Sequence, residues 1–276
     1  DDTIRLTCER YALTTKTPIY YTKNSVRLWE EGNVLAGVRQ ASGKYIKFLY
    51  DDDILFEHAI TRLVAALESS PGNSMASARR VRVDEDGTPL VDITATAFPF
   101  TADVILDGPD VVKFFADHPV NFIGEPSSVL CYREDLISFG DDLFTLLGEN
   151  LYFLTDMTLY LKLLRLGNLA FVAETLSAFR VSENQSSQLV HTGKYGDVIN
   201  RTYTRMPQIV RELGWYSGNK EENEKVKVAL MHGEQRFQTE NLLHALHNSL
   251  QVSVRRFYSN KINKWLDERR LQPQFR

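Results

Sequence analysis

The sequence predicts an α/β fold, in which a buried sheet packs against helices, and two observations support this prediction. Residues 44–55, KYIKFLYDDDIL, contain a near-continuous apolar run that ends at three aspartates, as expected of a strand covered on both faces. The following residues, LFEHAITRLVAAL, have apolar side chains at helical spacing. A strand that leads directly into a helix is the repeating unit of α/β proteins.

The composition limits the classes of protein to consider. The chain has 276 residues, of which 43% are hydrophobic and 25% are charged, as is ordinary for a globular protein with a sizeable core. A net charge of −4 gives no reason to expect nucleic acid as a partner. Two cysteines, Cys8 and Cys131, are too few for a disulfide scaffold. No apolar run reaches the roughly 18 residues that span a bilayer, so we predict a cytoplasmic protein.

Three adjacent carboxylates, those of Asp51, Asp52 and Asp53, follow the predicted strand. In open α/β sheets, ligands bind just beyond the carboxyl ends of the strands. A strongly negative site there is best relieved by a hard divalent cation, which would in turn hold a diphosphate. The structural alternative is that Asp53 caps the next helix and that the cluster is an ordinary acidic surface.

The context of these aspartates resembles the family 2 glycosyltransferases of the GT-A fold. That family has a small-residue helix, an A-x-G-x-Y-I element, an apolar strand and an Asp-rich element, and the matching residues here are Ala41, Gly43, Tyr45, Ile46, Phe48, Leu49, Asp52 and Asp53. Tyr50 departs from the pattern, since many members carry their first Asp there. The resemblance implies that Asp52 is the main ligand of Mg²⁺ or Mn²⁺, with Asp51 and Asp53 beside it.

Two later segments resemble the acceptor side of the same family. The Gly-Glu-Pro-Ser-Ser turn implies that Glu125 and Ser127 line the acceptor side of the cleft. Asp156 opens the helix MTLYLKLLRLG and matches the acidic residue that is the general base of inverting members, while Thr155 replaces the other acid of the usual pair. For Asp156 the structural alternative is a helix-capping role.

Arg180 and the stretch Asn184 to Ser187 resemble the loop that closes over the donor diphosphate. Ser182 stands where many members have a His. The resemblance therefore implies that Asp51, Asp52, Arg180 and Ser187 contact the nucleotide-sugar donor.

Three further arginines lie in the segment MASARRVRV, which we predict to form a hairpin with TPLVDITATAF across a DEDG turn. Arg79, Arg80 and Arg82 could bind phosphate, but a solvated strand face is the favoured prediction.

The resemblance runs from Asp1 to about Gln188. It implies a GT-A catalytic domain over residues 1–190, with a mixed sheet flanked by helices but without the family's N-terminal strand–helix–strand unit. Because the absent first strand is interior and its loss would leave backbone groups unpaired, we expect further residues before Asp1.

We predict that residues 191–276 form a helical extension, including a long helix over 221–250. The basic amphipathic segment 252–270 would pack on the catalytic domain, dock on a protein partner, or lie on an anionic membrane surface at the inner face of the membrane.

The predicted function is transfer of a sugar, with inversion, from a nucleoside-diphosphate-sugar donor to a hydroxyl of a glycan or a lipid-linked acceptor. Such a reaction builds glycans or polysaccharides. Two alternatives stay open. A nucleotidyltransferase could use the same fold and metal site without a base at Asp156. A catalytically silent nucleotide-sugar-binding module is compatible with the departures at Tyr50 and Ser182.

Overall fold

The computed structural model describes residues 2–93, 96, 100, 102–118, 120–182, 185, 195–216, 225–230 and 233–238. The chain divides into two compact units, residues 1–40 and 41–276. The first unit contains helices α1 (Thr3–Ala12) and α2 (Trp29–Gln40). Side-chain hydrogen bonds from Thr22 to Gln40 (2.8 Å) and from Asn24 to Asn33 (2.8 Å) link the connecting segment to α2.

The second unit holds the sheet and its covering helices. Its helices are α3 (Ala59–Glu68), α4 (Gly108–Asp117), α5 (Arg133–Phe139), α6 (Thr155–Leu166) and α7 (Gly196–Glu212). Its strands are β1 (Tyr45–Lys47), β2 (Ile54–Leu55), β3 (Asn73–Val83), β4 (Val104–Leu106), β5 (Leu130–Tyr132), β6 (Thr145–Leu146), β7 (Glu149–Asn150), β8 (Asn168–Arg180), β9 (Lys225–Leu230) and β10 (Gly233–Gln238). Short 3₁₀ turns span Pro126–Ser128 and Gly140–Asp142.

The described strands form one mixed sheet and a separate β6–β7 hairpin. The sheet has the order β1-β5-β3-β8-β4-β9-β10, and β2 pairs with the distal half of β8. Only β3 and β8 run parallel among the paired strands of the described residues; the other pairs are antiparallel. The predicted fold class, a mixed α/β sheet flanked by helices as in the GT-A fold, is confirmed.

Successive residues of β8 face the two sides of the sheet, and each side is covered. Ala170 belongs to the cluster in which Leu63 and Leu67 of α3 pack on β3 and β5. The next residue, Phe171, packs on the ring of Phe122, which in turn contacts the rings of α4. This burial on both faces makes the long β3–β8 pair the centre of the core.

The first predicted strand is shorter than expected. β1 ends at Lys47, and the side chain of Leu49 is 52% exposed. The helix that follows the aspartates begins at Ala59 and not at Leu55, because residues 54–55 pair with β8 as β2. Within α3, Leu63 and Leu67 are buried as predicted, whereas Ile60 is exposed.

The predicted hairpin after β3 is confirmed only at its turn. Asp84 N donates to Thr88 O (2.9 Å) and Leu90 N donates to Arg82 O (2.8 Å), around an antiparallel bridge between Val83 and Pro89. The described part of the returning segment forms no strand, and β3 pairs with β5 and β8.

A second prediction of secondary structure is wrong. Residues 225–230 and 233–238, predicted as part of one helix, are the strands β9 and β10, which extend the sheet from β4. The segment KVKVAL alternates polar and apolar residues, as strands do.

Residues 252–270, predicted to be a docking segment, lie outside the described residues. None of the helices in the described ranges is long and apolar enough to cross a membrane.

Candidate functional site

The three aspartates lie in the loop between β1 and β2, which we call the acidic loop (residues 50–53). A backbone hydrogen bond from Asp53 N to Tyr50 O (3.2 Å) closes it into a turn. Asp51 is exposed, whereas Asp52 and Asp53 are partly buried. The loop therefore presents carboxylates from a tight turn and not from the end of a regular strand.

Asp53 does not cap the following helix. Its Oδ1 accepts a hydrogen bond from the backbone N–H of Arg180 (3.2 Å), at the end of β8. The capping residue before α3 is His58. The structural alternative that explained Asp53 as a helix cap is therefore wrong.

The pKa of Asp53 is raised to about 6. Burial is the main cause, and the negative charges of Glu125 and Asp52 add to it, while hydrogen bonds from Ser127 and from the backbone of Arg180 act in the opposite direction. The protein thus gathers carboxylates without supplying enough positive charge to keep this one readily ionised. A cation would relieve that imbalance.

Arg180 links the acidic loop to the turn at residues 84–85 through hydrogen bonds to backbone oxygens. Its Nε donates to Asp52 O (2.9 Å), and its Nη1 donates to Glu85 O (2.6 Å) and Asp84 O (3.2 Å). Gln185 Nε2 donates to Asp52 Oδ2 (3.0 Å). The guanidinium therefore supports the backbone of the loop. Ser187, implied as a donor contact by the resemblance, lies outside the described residues.

The segment Gly124–Ser128, which we call the bridging turn, contacts the acidic loop through Ser127. Ser127 Oγ accepts from Tyr50 N (2.9 Å), and its side chain also hydrogen-bonds to Asp53. The ammonium group of Lys47 donates to Ser127 O. Burial lowers the pKa of Lys47 to about 8, against the opposing effect of the Asp53 charge. Ser127, implied as an acceptor-side residue, is thus hydrogen-bonded to the acidic loop.

The bridging turn begins at a glycine for a steric reason. Gly124 has φ of +115°, a conformation that side chains disfavour, and a Cβ there would clash with Ser128 Oγ. The turn can therefore approach the residues around it closely.

A buried ion pair anchors the other side of the bridging turn. Arg80 Nε lies 2.5 Å from Glu125 Oε2, and the Arg80 side chain is only 4% exposed. Its Nη1 also donates to Phe122 O (3.3 Å). The prediction that Arg80 lies on a solvated strand face is wrong, because β3 is an interior strand and this residue faces the bridging turn.

Asp156 is the second residue of α6, and hydrogen bonds reach both of its carboxylate oxygens. Asn121 Nδ2 donates to Oδ2 (2.6 Å), and Met157 N donates to Oδ1 (2.7 Å). The helix cap itself is Leu154. Asp156 therefore accepts from a first-turn N–H, as a capping carboxylate does, but is also held by a side chain from outside its helix.

The bridging turn also reaches the surroundings of Asp156. Asn121 Nδ2 donates to Gly124 O (3.2 Å), and the hydroxyl of Tyr160 on α6 donates to the same oxygen (2.9 Å). Burial, and then the negative charges of Asp156 and Glu125, raise the pKa of Tyr160 well above its ordinary value. The acidic loop and the start of α6 are thus joined through one turn.

Sequence reasoning missed three residues of this arrangement: Lys47, Asn121 and Tyr160. One of them had a signal, because Asn121 interrupts the apolar run PVNFI. A polar residue in a buried stretch requires a partner, which here is provided by residues distant in sequence.

The carboxylates of the acidic loop have the chemistry that Mg²⁺ or Mn²⁺ prefers. Among the described residues, no group of three or more His, Cys, Asp or Glu side chains is close enough to hold a metal ion. That number of ligands is not required, because Mg²⁺ is commonly bound by one or two carboxylates and completes its shell with water and substrate phosphates. Asp52 and Asp53 fit such a cation. The carboxyl of Asp53 is desolvated and lies near the negative charges of Asp52 and Glu125.

Residues 1–123 match the family described as glycosyl transferase family 2. The matched residues include the acidic loop, Arg80 and Asn121, and they end just before the bridging turn. No curated protein matches the chain.

Proposed function

We propose the reaction from the match of residues 1–123 to glycosyl transferase family 2 and from the geometry of the site. The protein transfers a sugar from a nucleoside-diphosphate donor to a hydroxyl of a glycan or lipid-linked acceptor, with inversion at the anomeric carbon. The match supports glycosyl transfer in general. The donor, the stereochemistry and the dependence on Mg²⁺ or Mn²⁺ are our proposal.

One observation carries this proposal: the bridging turn contacts both the acidic loop and the residues that hold Asp156. Ser127 hydrogen-bonds to the acidic loop, and Gly124 O accepts from Asn121 and Tyr160. A sugar transferase needs a group that binds the leaving diphosphate and a base on the acceptor side. Two acidic groups joined through one short turn meet that requirement.

On the donor side, Asp52 and Asp53 would hold the cation, with Asp51 exposed beside them. When bound, Mg²⁺ or Mn²⁺ supplies charge neutralisation at the diphosphate leaving group. Arg180 and Gln185 keep the loop in position through their hydrogen bonds to Asp52. Their part in the reaction is to preorganise the carboxylates, which lowers the cost of binding.

On the acceptor side, Asp156 acts as the general base. The hydrogen bonds from Asn121 and Met157 fix the direction of both oxygens. Each carboxylate oxygen has a second lone pair, so Oδ2 can also accept the proton of an attacking hydroxyl. General-base assistance of this kind contributes about 10²–10⁴-fold to the rate.

The test is an assay of the full chain against a panel of nucleotide sugars, with added Mn²⁺ and then with a chelator. We expect release of the nucleoside diphosphate from at least one donor in the presence of Mn²⁺ and loss of that release with the chelator. NMR of the product reports the anomeric configuration, which should be the opposite of the donor's. In a parallel assay with a nucleoside triphosphate and a sugar 1-phosphate, release of pyrophosphate would instead indicate a nucleotidyltransferase. A protein that binds nucleotide sugars but transfers no sugar to glycan or lipid-linked acceptors would be a silent binding module.

A further inference from the structure

Phe153, just before α6, has a backbone conformation that is rare for its residue type. Its φ is +66°, in the left-handed region that favours glycine and asparagine. A bulky aromatic residue in that conformation is strained, and strain of this kind concentrates at binding and catalytic sites. The backbone alone gives no reason for a phenylalanine here, so its ring requires an explanation.

The ring of Phe153 packs against that of Tyr195, immediately before α7. The two ring centroids are 5.5 Å apart, with an interplanar angle of 40°. Both side chains nevertheless remain open to solvent, Phe153 being 40% and Tyr195 36% exposed. We call these two residues the aromatic pair. Together they present an apolar surface to solvent.

An ion-pair network holds the aromatic pair in place. Arg205 of α7 forms two close contacts with Glu149, from Nη2 to Oε1 (2.5 Å) and from Nε to Oε2 (2.9 Å). Arg205 Nη1 also donates to Glu212 Oε1 (2.6 Å). Bidentate contacts of this type fix geometry. Since Glu149 precedes Phe153 by four residues and α7 follows Tyr195, the network sets the two rings relative to each other.

The aromatic pair lies beside Asp156. Phe153 precedes Asp156 by three residues, and α6 begins between them, at Thr155. From the other side, the pKa of Tyr203 on α7 is raised by burial and then by the negative charge of Asp156. Thus α7 contacts Phe153 through Tyr195 and approaches the carboxylate through Tyr203.

We propose that the aromatic pair is a subsite for one pyranose ring of the acceptor, so that the acceptor is a saccharide. This inference rests on the proposed function. A pyranose has a face of C–H groups and an edge of hydroxyls, and the C–H face packs well on aromatic rings. With that face on the aromatic pair, a hydroxyl at the edge can point toward Asp156. The area of two rings matches a single sugar ring.

The experiment measures saturation-transfer NMR of the full chain with methyl glycosides of glucose, galactose, mannose and N-acetylglucosamine. Octyl phosphate serves as the lipid-type probe. We expect the C–H protons of at least one glycoside to receive saturation, and we expect the affinity to fall about threefold to tenfold in Phe153→Asn and in Tyr195→Leu. Asn tolerates the left-handed conformation, so the first variant removes the ring without adding strain.

Tyr152→Leu is the matched control, because this neighbouring tyrosine is 59% exposed and is not a member of the aromatic pair. It should bind glycosides as the unchanged protein does. The inference is overturned if no glycoside binds the unchanged protein, if only octyl phosphate binds, or if the two ring variants bind as tightly as the control.

Donor hydrolysis, in which water replaces the acceptor, separates this inference from the proposed function. Tyr152→Leu, outside the aromatic pair, should keep the hydrolysis rate of the unchanged protein. Normal hydrolysis by the unchanged protein, together with glycoside binding that the two ring substitutions do not alter, contradicts the subsite alone. An unchanged protein that hydrolyses no nucleotide sugar in Mn²⁺ contradicts the proposed function, whatever the glycoside result.

Discussion

The two acidic parts of the site are held in opposite ways. In the acidic loop, the carboxyl of Asp53 is desolvated and close to other negative charges, and its pKa is raised to about 6. At the start of α6, both oxygens of Asp156 accept hydrogen bonds, from Asn121 and from Met157. The first arrangement is electrostatically incomplete until a cation binds, whereas in the second both carboxylate oxygens already have hydrogen-bond donors.

This difference indicates how one short turn can serve two chemical tasks. The bridging turn adds Glu125 to the negative charge near the acidic loop, and it offers a neutral carbonyl, Gly124 O, to Asn121 and Tyr160. Charge accumulates where a cation is needed, and neutral hydrogen bonds dominate where a base is needed. Substitutions on either side of the site should therefore have different effects.

The largest effect is expected for Asp156→Asn. Asparagine cannot take up a proton, so kcat should fall by about 10²-fold or more. Because its amide offers one acceptor oxygen to the two donors, on Asn121 and Met157, we also expect a loss of stability of about 1–3 kcal/mol. Steady-state transfer assays measure the change. Asp197→Asn, in the exposed first turn of α7, is the control and should be silent. If Asp156→Asn retains near-normal transfer, Asp156 only caps its helix, and the base must be sought at Glu125 or Glu149.

Arg80→Met should cause the largest loss of stability. Removing one partner of a buried ion pair leaves Glu125 uncompensated, and this costs about 3 kcal/mol. Urea denaturation measures the free energy of unfolding. Arg82→Met, two residues further along β3, removes only a hydrogen bond to Val91 O and should cost less than about 1 kcal/mol. Equal losses for the two variants would refute the role given to the Arg80–Glu125 pair.

A smaller effect is expected from the ionisation of Asp53. Its pKa in the folded protein, about 6, lies above the ordinary value of 3.8, so the folded state binds this proton more tightly than the unfolded state does. Its contribution to stability is therefore present below about pH 4 and is lost as the pH rises to about 6. Because the side chain is partly exposed, we expect a loss of about 1 kcal/mol.

The comparison of the protein with Asp53→Asn isolates this contribution. The change in unfolding free energy from pH 4 to pH 6.5 should be more positive, by about 1 kcal/mol, in Asp53→Asn than in the unchanged protein, since the variant cannot ionise at that position. Saturating Mn²⁺ should reduce the same pH dependence in the unchanged protein, because the cation favours the ionised carboxylate. An identical pH dependence in the two proteins would show that Asp53 is not destabilised by burial.

The sequence predicted local features better than tertiary ones. The acidic cluster and the helix that begins near Asp156 were both recognisable, because each depends on neighbouring residues. Arg80, Asn121 and Tyr160 were not recognised as one cluster, since β3, the loop before the bridging turn and α6 come together only in the folded chain. Residues 225–230 were predicted as helix because their strand pairing with β4 is non-local.

The most direct test of the contrast is calorimetric titration of nucleoside diphosphates, in the presence of Mn²⁺, into the unchanged protein, Asp52→Asn and Asp156→Asn. The account predicts Mn²⁺-dependent binding to the unchanged protein, an affinity about tenfold lower in Asp52→Asn, and an affinity within about twofold of the original in Asp156→Asn. Equal weakening in both variants, or binding that is indifferent to Mn²⁺ and to Asp52, would contradict the assignment of the cation to the acidic loop.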